Sequence, residues 1–317
     1  MRRMSAIAGF YLLLLALPWA LTNEYYVTVL ILCCLNAIIV VGLNLLLGFA
    51  GQISLGHGAF YGLGAYATAI ATTTWAMPVW AGLLFGVALA AAVAWILGIP
   101  ALKLSGHYLA MATLGFGIIV YILLNETVEL TGGPSGFIGI PVLDLFGWEI
   151  VGDLPYYYLT ATVLALVVLA SSNLVHSRLG RALMAIHTSE KAAQAAGVDI
   201  ARYKLFVFVL SGAFAGLAGV LYAHYLSFIA PSSFGFMFSV ELIVMVVLGG
   251  MGSIPGAVAG AFFLTMLPEF LRVFEDIEVL LFGLILILGM MFLPGGLAGG
   301  VKRLWARVPA ARGGRGR

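Results

Sequence analysis

Charged side chains are scarce in this sequence of 317 residues. Asp, Glu, Lys and Arg make up 9% of it and hydrophobic residues 63%, whereas soluble domains average about 25% charged residues. An ordinary soluble domain is therefore excluded. Continuous apolar runs such as Val27–Leu47, Trp80–Ile99 and Val279–Leu293 approach or reach the roughly 20 residues that a helix needs to cross hydrocarbon. A transmembrane barrel would instead show alternating segments of about 10 residues. We predict an all-α, polytopic bundle of transmembrane helices.

Cysteine is nearly absent, and sequence signatures of catalysis are missing. Cys33 and Cys34 are neighbours in an apolar run and point about 100° apart on a helix, which favours a packing role over a disulfide framework or a metal site. The sequence contains no G-x-x-x-x-G-K-[ST], G-x-S-x-G or H-E-x-x-H. We expect no metal, no cofactor in this chain and no enzymatic activity. The formal net charge of +2 is too small to indicate a nucleic-acid partner.

The distribution of basic residues predicts an orientation. Apolar runs indicate about ten spans, near residues 6–22, 27–47, 58–74, 79–99, 107–125, 156–175, 205–228, 239–250, 256–271 and 279–296. With the N-terminus inside, all 15 Lys and Arg residues except Arg272 face the cytoplasm, where basic residues accumulate. We predict one membrane-embedded domain over residues 1–317, with both termini in the cytoplasm. Its spans cover about 6–296, a cytoplasmic loop covers 176–204, and a basic cytoplasmic tail covers 297–317.

Glycine is plentiful, and two clusters of it interrupt apolar runs. The clusters are GFAGQISLGHGAFYGLG at residues 48–64 and GGMGSIPG at residues 249–256. Glycine tolerates positive φ, and Pro255 cannot donate a backbone hydrogen bond, so we predict broken helices at both places. Unwound backbone at membrane depth must be buried in protein or line water. The candidates for a translocation path are Gln52, Ser54, His57, Gly249 and Gly250. Local capping of the backbone is the alternative for Gln52 and His57.

Corresponding interruptions in two halves of a transporter often mark an internal repeat with the path between the halves. We predict that the two clusters occupy corresponding positions in two four-span blocks, residues 27–125 and 205–296, which form a parallel repeat.

Ionisable residues are rare within the predicted spans. Glu241 lies near the outer end of its run, Glu269 is placed to pair with Arg272, and His107 and His224 lie near span ends. None of them forms a convincing proton relay, although intramembrane ionisable residues usually mark one. This argues against a secondary transporter or channel. The lack of clustered His, Asp or Glu argues more strongly against a membrane-embedded enzyme.

The polar segment His176–Lys204 predicts contact with a soluble partner. Ser189 is a good N-cap, Glu190 suits the first turn of a helix, and Gly197 closes the helix at C′. The residues between them include Ala192, Ala193, Ala195 and Ala196. A two-turn helix with an alanine face fits the groove of a partner, whereas a plain connector between spans is the alternative.

This segment resembles a known motif. Residues 190–197, EKAAQAAG, are similar to the E-A-A-x-x-x-G motif of ABC importer permeases, with Lys191 inserted between the Glu and the first Ala pair. GFAGQISLGHGAFYGLGAY, GRALMAIHTSEKAAQAAGVDIARYKLFVF, SGAFAGLAGVLYAHYLSFIAP and VLGGMGSIPGAVAGA resemble the branched-chain amino acid ABC permease family, in particular its LivM-type members. The resemblance spans residues 40–295.

The resemblance implies a partner for each side of the bacterial inner membrane. It implies a homologous second permease, two cytoplasmic ATPase subunits that hold ATP and Mg²⁺, and a periplasmic substrate-binding protein. The residues it assigns to ATPase coupling are Ser189, Glu190, Ala192, Ala193 and Gly197. The expected function is import of branched-chain or related amino acids. A permease for urea or short amides and a secondary transporter of small polar solutes are the alternatives.

Overall fold

Helices form most of the described chain. The computed structural model describes residues 2–20, 23–104, 106–145, 147–272, 277–292 and 295–300. The helices are α1 (Arg2–Ala16), α2 (Glu24–Asn44), α3 (His57–Thr73), α4 (Val79–Ala101), α5 (His107–Glu126), α6 (Val128–Thr131), α7 (Asp153–His176), α8 (Arg178–Thr188), α9 (Glu190–Ala195), α10 (Ile200–Leu226), α11 (Phe236–Gly249), α12 (Ile254–Leu271) and α13 (Glu278–Phe292). A π-helical turn at Leu45–Phe49 extends α2, and 3₁₀ turns lie at Leu17–Ala20, Gly133–Ser135 and Pro231–Phe234.

Local sequence sets several helix starts. Asn23 accepts a hydrogen bond from the backbone N–H of Tyr25 and so caps α2. Asp199 caps α10 in the same way, and Ser253 caps α12, whose first turn contains Pro255. Short polar side chains favour the N-cap because they satisfy backbone N–H groups that lack a helical partner, and proline tolerates the first turn because it has no N–H.

The prediction of a polytopic helical membrane protein is confirmed. Seven helical segments of the described chain are long and apolar enough to cross a membrane: Tyr25–Phe49, Val79–Ala101, His107–Glu126, Asp153–His176, Ile200–Leu226, Pro231–Gly249 and Ile254–Leu271. Shorter apolar helices occur at Gly9–Trp19 and Leu280–Gly289, and α3 is 17 residues long. Each of the ten predicted spans therefore overlaps a helix of the described residues, while the number of crossings stays a prediction.

Helix α2 lies at the centre of the bundle. Its apolar stretch is 89% buried within the chain, and it packs against α7, α10, α11 and α12. Cys33 and Cys34 are both fully buried in it, so their predicted packing role is confirmed. A second group consists of α3, α4 and α10, which approach closely where Gly64 meets Gly216. Small residues allow helix backbones to pack at short range in membranes.

The loop between α5 and α7 contains the short helix α6 and three short strands. Strand β1 (Phe137–Ile138) pairs antiparallel with β4 (Phe228–Ile229), and β2 (Asp144–Leu145) pairs with β3 (Trp148–Glu149). His224 ties this loop to the bundle, since its Nδ1 lies 2.8 Å from the Pro141 oxygen and its Nε2 lies 2.9 Å from Thr68 Oγ1. The all-α prediction missed these strands because two residues are too few to show strand alternation.

Charged side chains of both signs lie at each end of the bundle. Lys103 at the end of α4 lines one cleft with Glu190, Arg202 and Lys204 at the start of α10. At the other end, Asp153 receives hydrogen bonds from Thr28 and Tyr225, and Arg272 pairs with Glu269 and with the Tyr25 hydroxyl. The predicted orientation, with both termini in the cytoplasm, stays a prediction. The predicted tail falls mostly on residues 301–317, which lie outside the described residues.

The predicted correspondence between the two glycine clusters is wrong. The first break follows α2, the first helix of residues 27–125, whereas the second break follows α11, the second helix of residues 205–296. The two blocks therefore differ in the position of their interruption. The prediction matched the two clusters by their glycine content. Glycine clusters also occur where helices pack closely, so a shared glycine content does not show that two segments correspond.

Candidate coupling site and glycine breaks

The polar segment after α7 folds as two short helices. Ser177 caps α8 and Ser189 caps α9, where the Ser189 hydroxyl lies 3.3 Å from the backbone nitrogen of Ala192. Gly197 has a φ of +82° just after α9, a conformation that favours glycine over other residues. The predicted two-turn helix, its cap and its terminating glycine are therefore confirmed. Helix α8 was not predicted, because the capping signals considered in this segment lie at residues 189–197.

The alanine face of α9 is divided between the bundle and solvent. Ala193 is only 3% exposed and packs inside the chain. The exposed residues of this region are Lys191, Ala192, Gln194, Ala195, Ala196 and Gly197. Ala193 therefore lies on the face of α9 that rests on the bundle, and its part in ATPase coupling stays a prediction. Ala192 and Gly197 are on the exposed side.

An ion pair holds α9 against α10. Lys204 Nζ lies 2.7 Å from Glu190 Oε1, and the Lys204 side chain is 2% exposed whereas that of Glu190 is 43% exposed. A buried ammonium needs a partner because its transfer out of water is costly. Glu190 therefore makes its contact within this chain. Sequence reasoning missed this role of Lys204, which it counted among the basic residues of the polar segment.

The last turn of α8 touches the first glycine break. His187 Nδ1 lies 3.1 Å from the carbonyl oxygen of Gly48. The imidazole also covers Gly51, since a Cβ added there would lie 3.0 Å from His187 Cδ2. Gly51 has a φ of +68°, so a side chain at this position would be strained as well as crowded. The segment predicted to couple and the first break are thus in direct contact.

The two glycine breaks meet at Asn44. Its Oδ1 accepts a hydrogen bond from the Gly252 backbone nitrogen at 3.0 Å, and its Nδ2 donates to the Ser253 oxygen at 3.1 Å. Gly48 lies against the same segment, where an added Cβ would come within 3.0 Å of Gly252 N and of Asn44 Oδ1. Asn44 is fully buried and was not among the predicted site residues. A polar amide within an apolar run was the sequence signal that could have identified it.

Side chains from two other helices satisfy the backbone after the first break. Thr113 of α5 accepts from Leu55 N at 3.0 Å, and Ser239 of α11 accepts from Gly58 N at 3.0 Å. These N–H groups lie at the start of α3, where no helical acceptor exists. Neutral side chains therefore replace the hydrogen bonds that a continuous helix would have made.

The predicted path residues of the first break are all buried. His57 Nε2 lies 2.6 Å from Ser211 Oγ of α10, while Ser54 Oγ accepts from Gly56 N at 3.4 Å. Gln52 Nε2 donates to the Ala50 oxygen at 3.1 Å, which is the local capping that formed the alternative for this residue. Among the described residues, Gln52 Oε1 and His57 Nδ1 have no hydrogen-bond partner.

The predicted path residues of the second break lie in close packing contacts. A Cβ on Gly249 would come within 3.0 Å of the Gly256 oxygen on α12. Gly250 has a φ of +116° and lies against Gly295 and Gly296. Within this chain both glycines allow backbone segments to approach, and their place on a path stays a prediction.

Comparisons with known proteins identify relatives over most of the chain. A family model described as branched-chain amino acid transport system, permease component, matches residues 25–291. The chain is 36% identical over 310 residues to the high-affinity branched-chain amino acid transport system permease protein LivM of Escherichia coli K12, covering 90% of this chain and 73% of LivM. It is 29% identical over 284 residues to LivH of the same strain, covering 83% and 91%. It is also 31% identical over 242 residues to the ribose import permease protein RbsC of that strain, covering 73% of each chain. No solved structure is significantly similar to it.

Proposed function

The chain belongs to the branched-chain amino acid permease family, and on this premise we propose that it is the LivM-type membrane subunit of an ATP-driven importer of branched-chain amino acids. The observation that carries the proposal is the helix α9, which presents exposed small residues at one end of the bundle while α8 beside it contacts the first glycine break. An exposed helix that is connected to an interrupted membrane helix is expected in a membrane subunit that is driven by a soluble ATPase.

The partners are assigned to the two ends of the helical bundle. One of the two cytoplasmic ATPase subunits docks at α9, with Ala192 and Gly197 on the contact surface and Ser189 and Glu190 fixing the helix in place. A LivH-like second permease completes the membrane part, and its likeness to this chain supports a pair of related subunits. A periplasmic binding protein delivers the substrate to the ordered loop between α5 and α7.

The proposed topology has ten crossings, with the N- and C-termini in the cytoplasm of a bacterium and the chain in its inner membrane. The cytoplasmic end is the one that carries Lys103 and Arg202 together with α8 and α9. The excess of basic residues at this end supports the orientation, because such residues stay on the cytoplasmic side during insertion.

Transport proceeds by alternating access. Closure of the ATPase subunits displaces α9, and the glycine breaks let the helices on either side of them change their angle around a shared path. Gln52, Ser54 and His57 lie on this path near its cytoplasmic end, where Gln52 and His57 keep polar atoms without partners. Alanine at all three positions should slow transport, and an unchanged rate would make them purely structural.

Reconstitution tests the proposed function directly. The chain is placed in proteoliposomes with its second permease, ATPase subunits and binding protein, and uptake of radiolabelled leucine is measured with and without ATP. Uptake that requires ATP and persists when ionophores remove ion gradients supports the proposal. Uptake driven by a gradient without ATP would indicate a secondary transporter. Uptake of urea, short amides or ribose in place of leucine would change the substrate class.

A deletion tests the docking surface. Removal of Ser189–Gly197 should abolish co-purification of the ATPase with the permease and leave the permease in the membrane. A deletion of equal length in the loop at the other end, residues 142–150, is the matched control and should leave the ATPase bound. Equal binding in both variants would exclude α9 as the docking element.

A further inference from the structure

We infer that His187 is a positioning residue that transmits displacement of α9 to both glycine breaks. The inference rests on the proposed function and goes further, since it assigns the connection between the docking helix and the moving helices to one side chain. In this proposal His187 acts through its contact with Gly48 and does not itself bind the substrate or the ATPase.

His187 stands at the junction between the two short helices. It is two residues before Ser189, the residue that ends α8 and caps α9. Its Nδ1 reaches Gly48 O at 3.1 Å. A carbonyl oxygen only accepts hydrogen bonds, so His187 Nδ1 is the donor. Gly48 belongs to the last turn before the helix ends, where carbonyl groups lose the partners that a continuing helix supplies.

The contact continues from Gly48 to the second break. Gly48 packs directly on Gly252, and Asn44, one helical turn before it, bonds both Gly252 and Ser253. Ser253 in turn caps α12. Three consecutive contacts therefore lead from the end of α8 to the start of α12.

The other connection of α9 leads elsewhere. Glu190 binds Lys204, which lies in α10, and α10 is helical without interruption from Ile200 to Leu226. A force applied through this ion pair moves α10 as a rigid rod. The hydrogen bond of His187 instead acts on the backbone of a break, which is where a change of helix angle is easiest.

Two substitutions of nearly identical shape separate the hydrogen bond from the bulk of the side chain. Asparagine in His187→Asn can donate to Gly48 O from Nδ2, whereas the carboxylate in His187→Asp can only accept. Position 187 is exposed, so neither residue is forced into the core. The control is His176→Ala. His176 lies 11 positions earlier in the same region, and its Nδ1 bonds only Ser172 O of its own helix.

The assay measures leucine molecules transported per ATP hydrolysed in the reconstituted complex, together with the ATPase that co-purifies. We expect His187→Asp to transport about fivefold less per ATP with ATPase binding unchanged, the factor that corresponds to one neutral hydrogen bond. His187→Asn should stay within about twofold of wild type, since it keeps the bond, and His176→Ala should match wild type. If the Asp variant fails to accumulate, His187→Ala replaces it, since alanine removes the donor without adding charge.

Two results would overturn the inference. One is equal transport per ATP in the Asn variant and in the variant without a donor. The other is a loss of transport that parallels a loss of bound ATPase, because His187 would then serve docking. Failure of the wild-type complex to transport with ATP would count against the proposed function instead, and this outcome is read from a different sample.

Discussion

Gly48 is a position where a single added methyl group should impair transport, because it lies between the two breaks. The Cβ of Gly48→Ala would lie under 3.0 Å from Asn44 Oδ1 on one side and from the Gly252 backbone nitrogen on the other. Neither group can turn away, because Asn44 is fully buried and its Oδ1 is bonded to Gly252 N. The two breaks must therefore move apart by about 1 Å to restore normal van der Waals contact.

The energy of this change follows from its two components. Forcing extra atoms into a packed site costs about 1–3 kcal/mol, and the upper end applies where backbone has to move. Replacing glycine by alanine in a helical segment returns about 0.5–1 kcal/mol through the entropy of the unfolded chain. A net loss of about 2 kcal/mol results, which is a factor of roughly 30 in the balance between joined and separated breaks.

Thermal unfolding in detergent and ATP-dependent leucine uptake check the prediction. Gly48→Ala should unfold at a lower temperature and transport at least about tenfold less than wild type. Gly115→Ala is the matched control, because Gly115 also lies in a membrane helix but an added Cβ there meets no atom within 4 Å. Wild-type stability and uptake in Gly48→Ala would refute the close contact between the breaks.

Three further predictions concern α9 and Asn44. Glu190→Gln leaves the buried ammonium of Lys204 without its carboxylate and should destabilise the chain by about 1–3 kcal/mol. Adding Lys204→Met should recover most of that loss in thermal unfolding, and additive losses would contradict the ion pair. Gly197→Asn keeps an allowed left-handed backbone but adds bulk on the exposed side, so it should weaken ATPase co-purification. Gly139→Asn, with a φ of +81° against +82°, is its control, and equal binding would argue against docking at Gly197. Asn44→Ala removes two hydrogen bonds between the breaks and should cost about 2 kcal/mol of stability, whereas an unchanged unfolding temperature would show that packing alone joins them.

Sequence reasoning succeeded where the cause of a structure is local. The positions of the membrane helices follow from apolar runs near 20 residues, because a helix needs about that many apolar residues to cross the hydrocarbon core. The interruption after Phe49 and the start of α9 at Ser189 follow from the conformational freedom of glycine and the capping preference of serine.

The contacts that join the site could not be predicted in this way. Glu190 and Lys204 are 14 positions apart, His187 and Gly48 are 139 apart, and Asn44 lies 209 positions from Ser253. No spacing rule links such residues, because their neighbours depend on how the helices pack. The same holds for Ala193, whose burial depends on which face of α9 rests on the bundle.

The chemistry of the breaks explains how unwound backbone is kept at membrane depth without fixing it there. Lipid offers no hydrogen bonds, so every freed backbone group must find a partner in protein or water. Here three freed N–H groups bind neutral side chains on three different helices: Thr113 on α5, Ser239 on α11 and Asn44 on α2. Each such bond is worth only about 1 kcal/mol net, because alternatives replace it when it opens. A buried ion pair in the same place would resist opening much more strongly. The ion pair between the half-exposed carboxylate of Glu190 and the buried ammonium of Lys204 instead ties α9 to a continuous helix. The charged bond therefore holds a part that stays rigid, and the neutral bonds hold the part that changes.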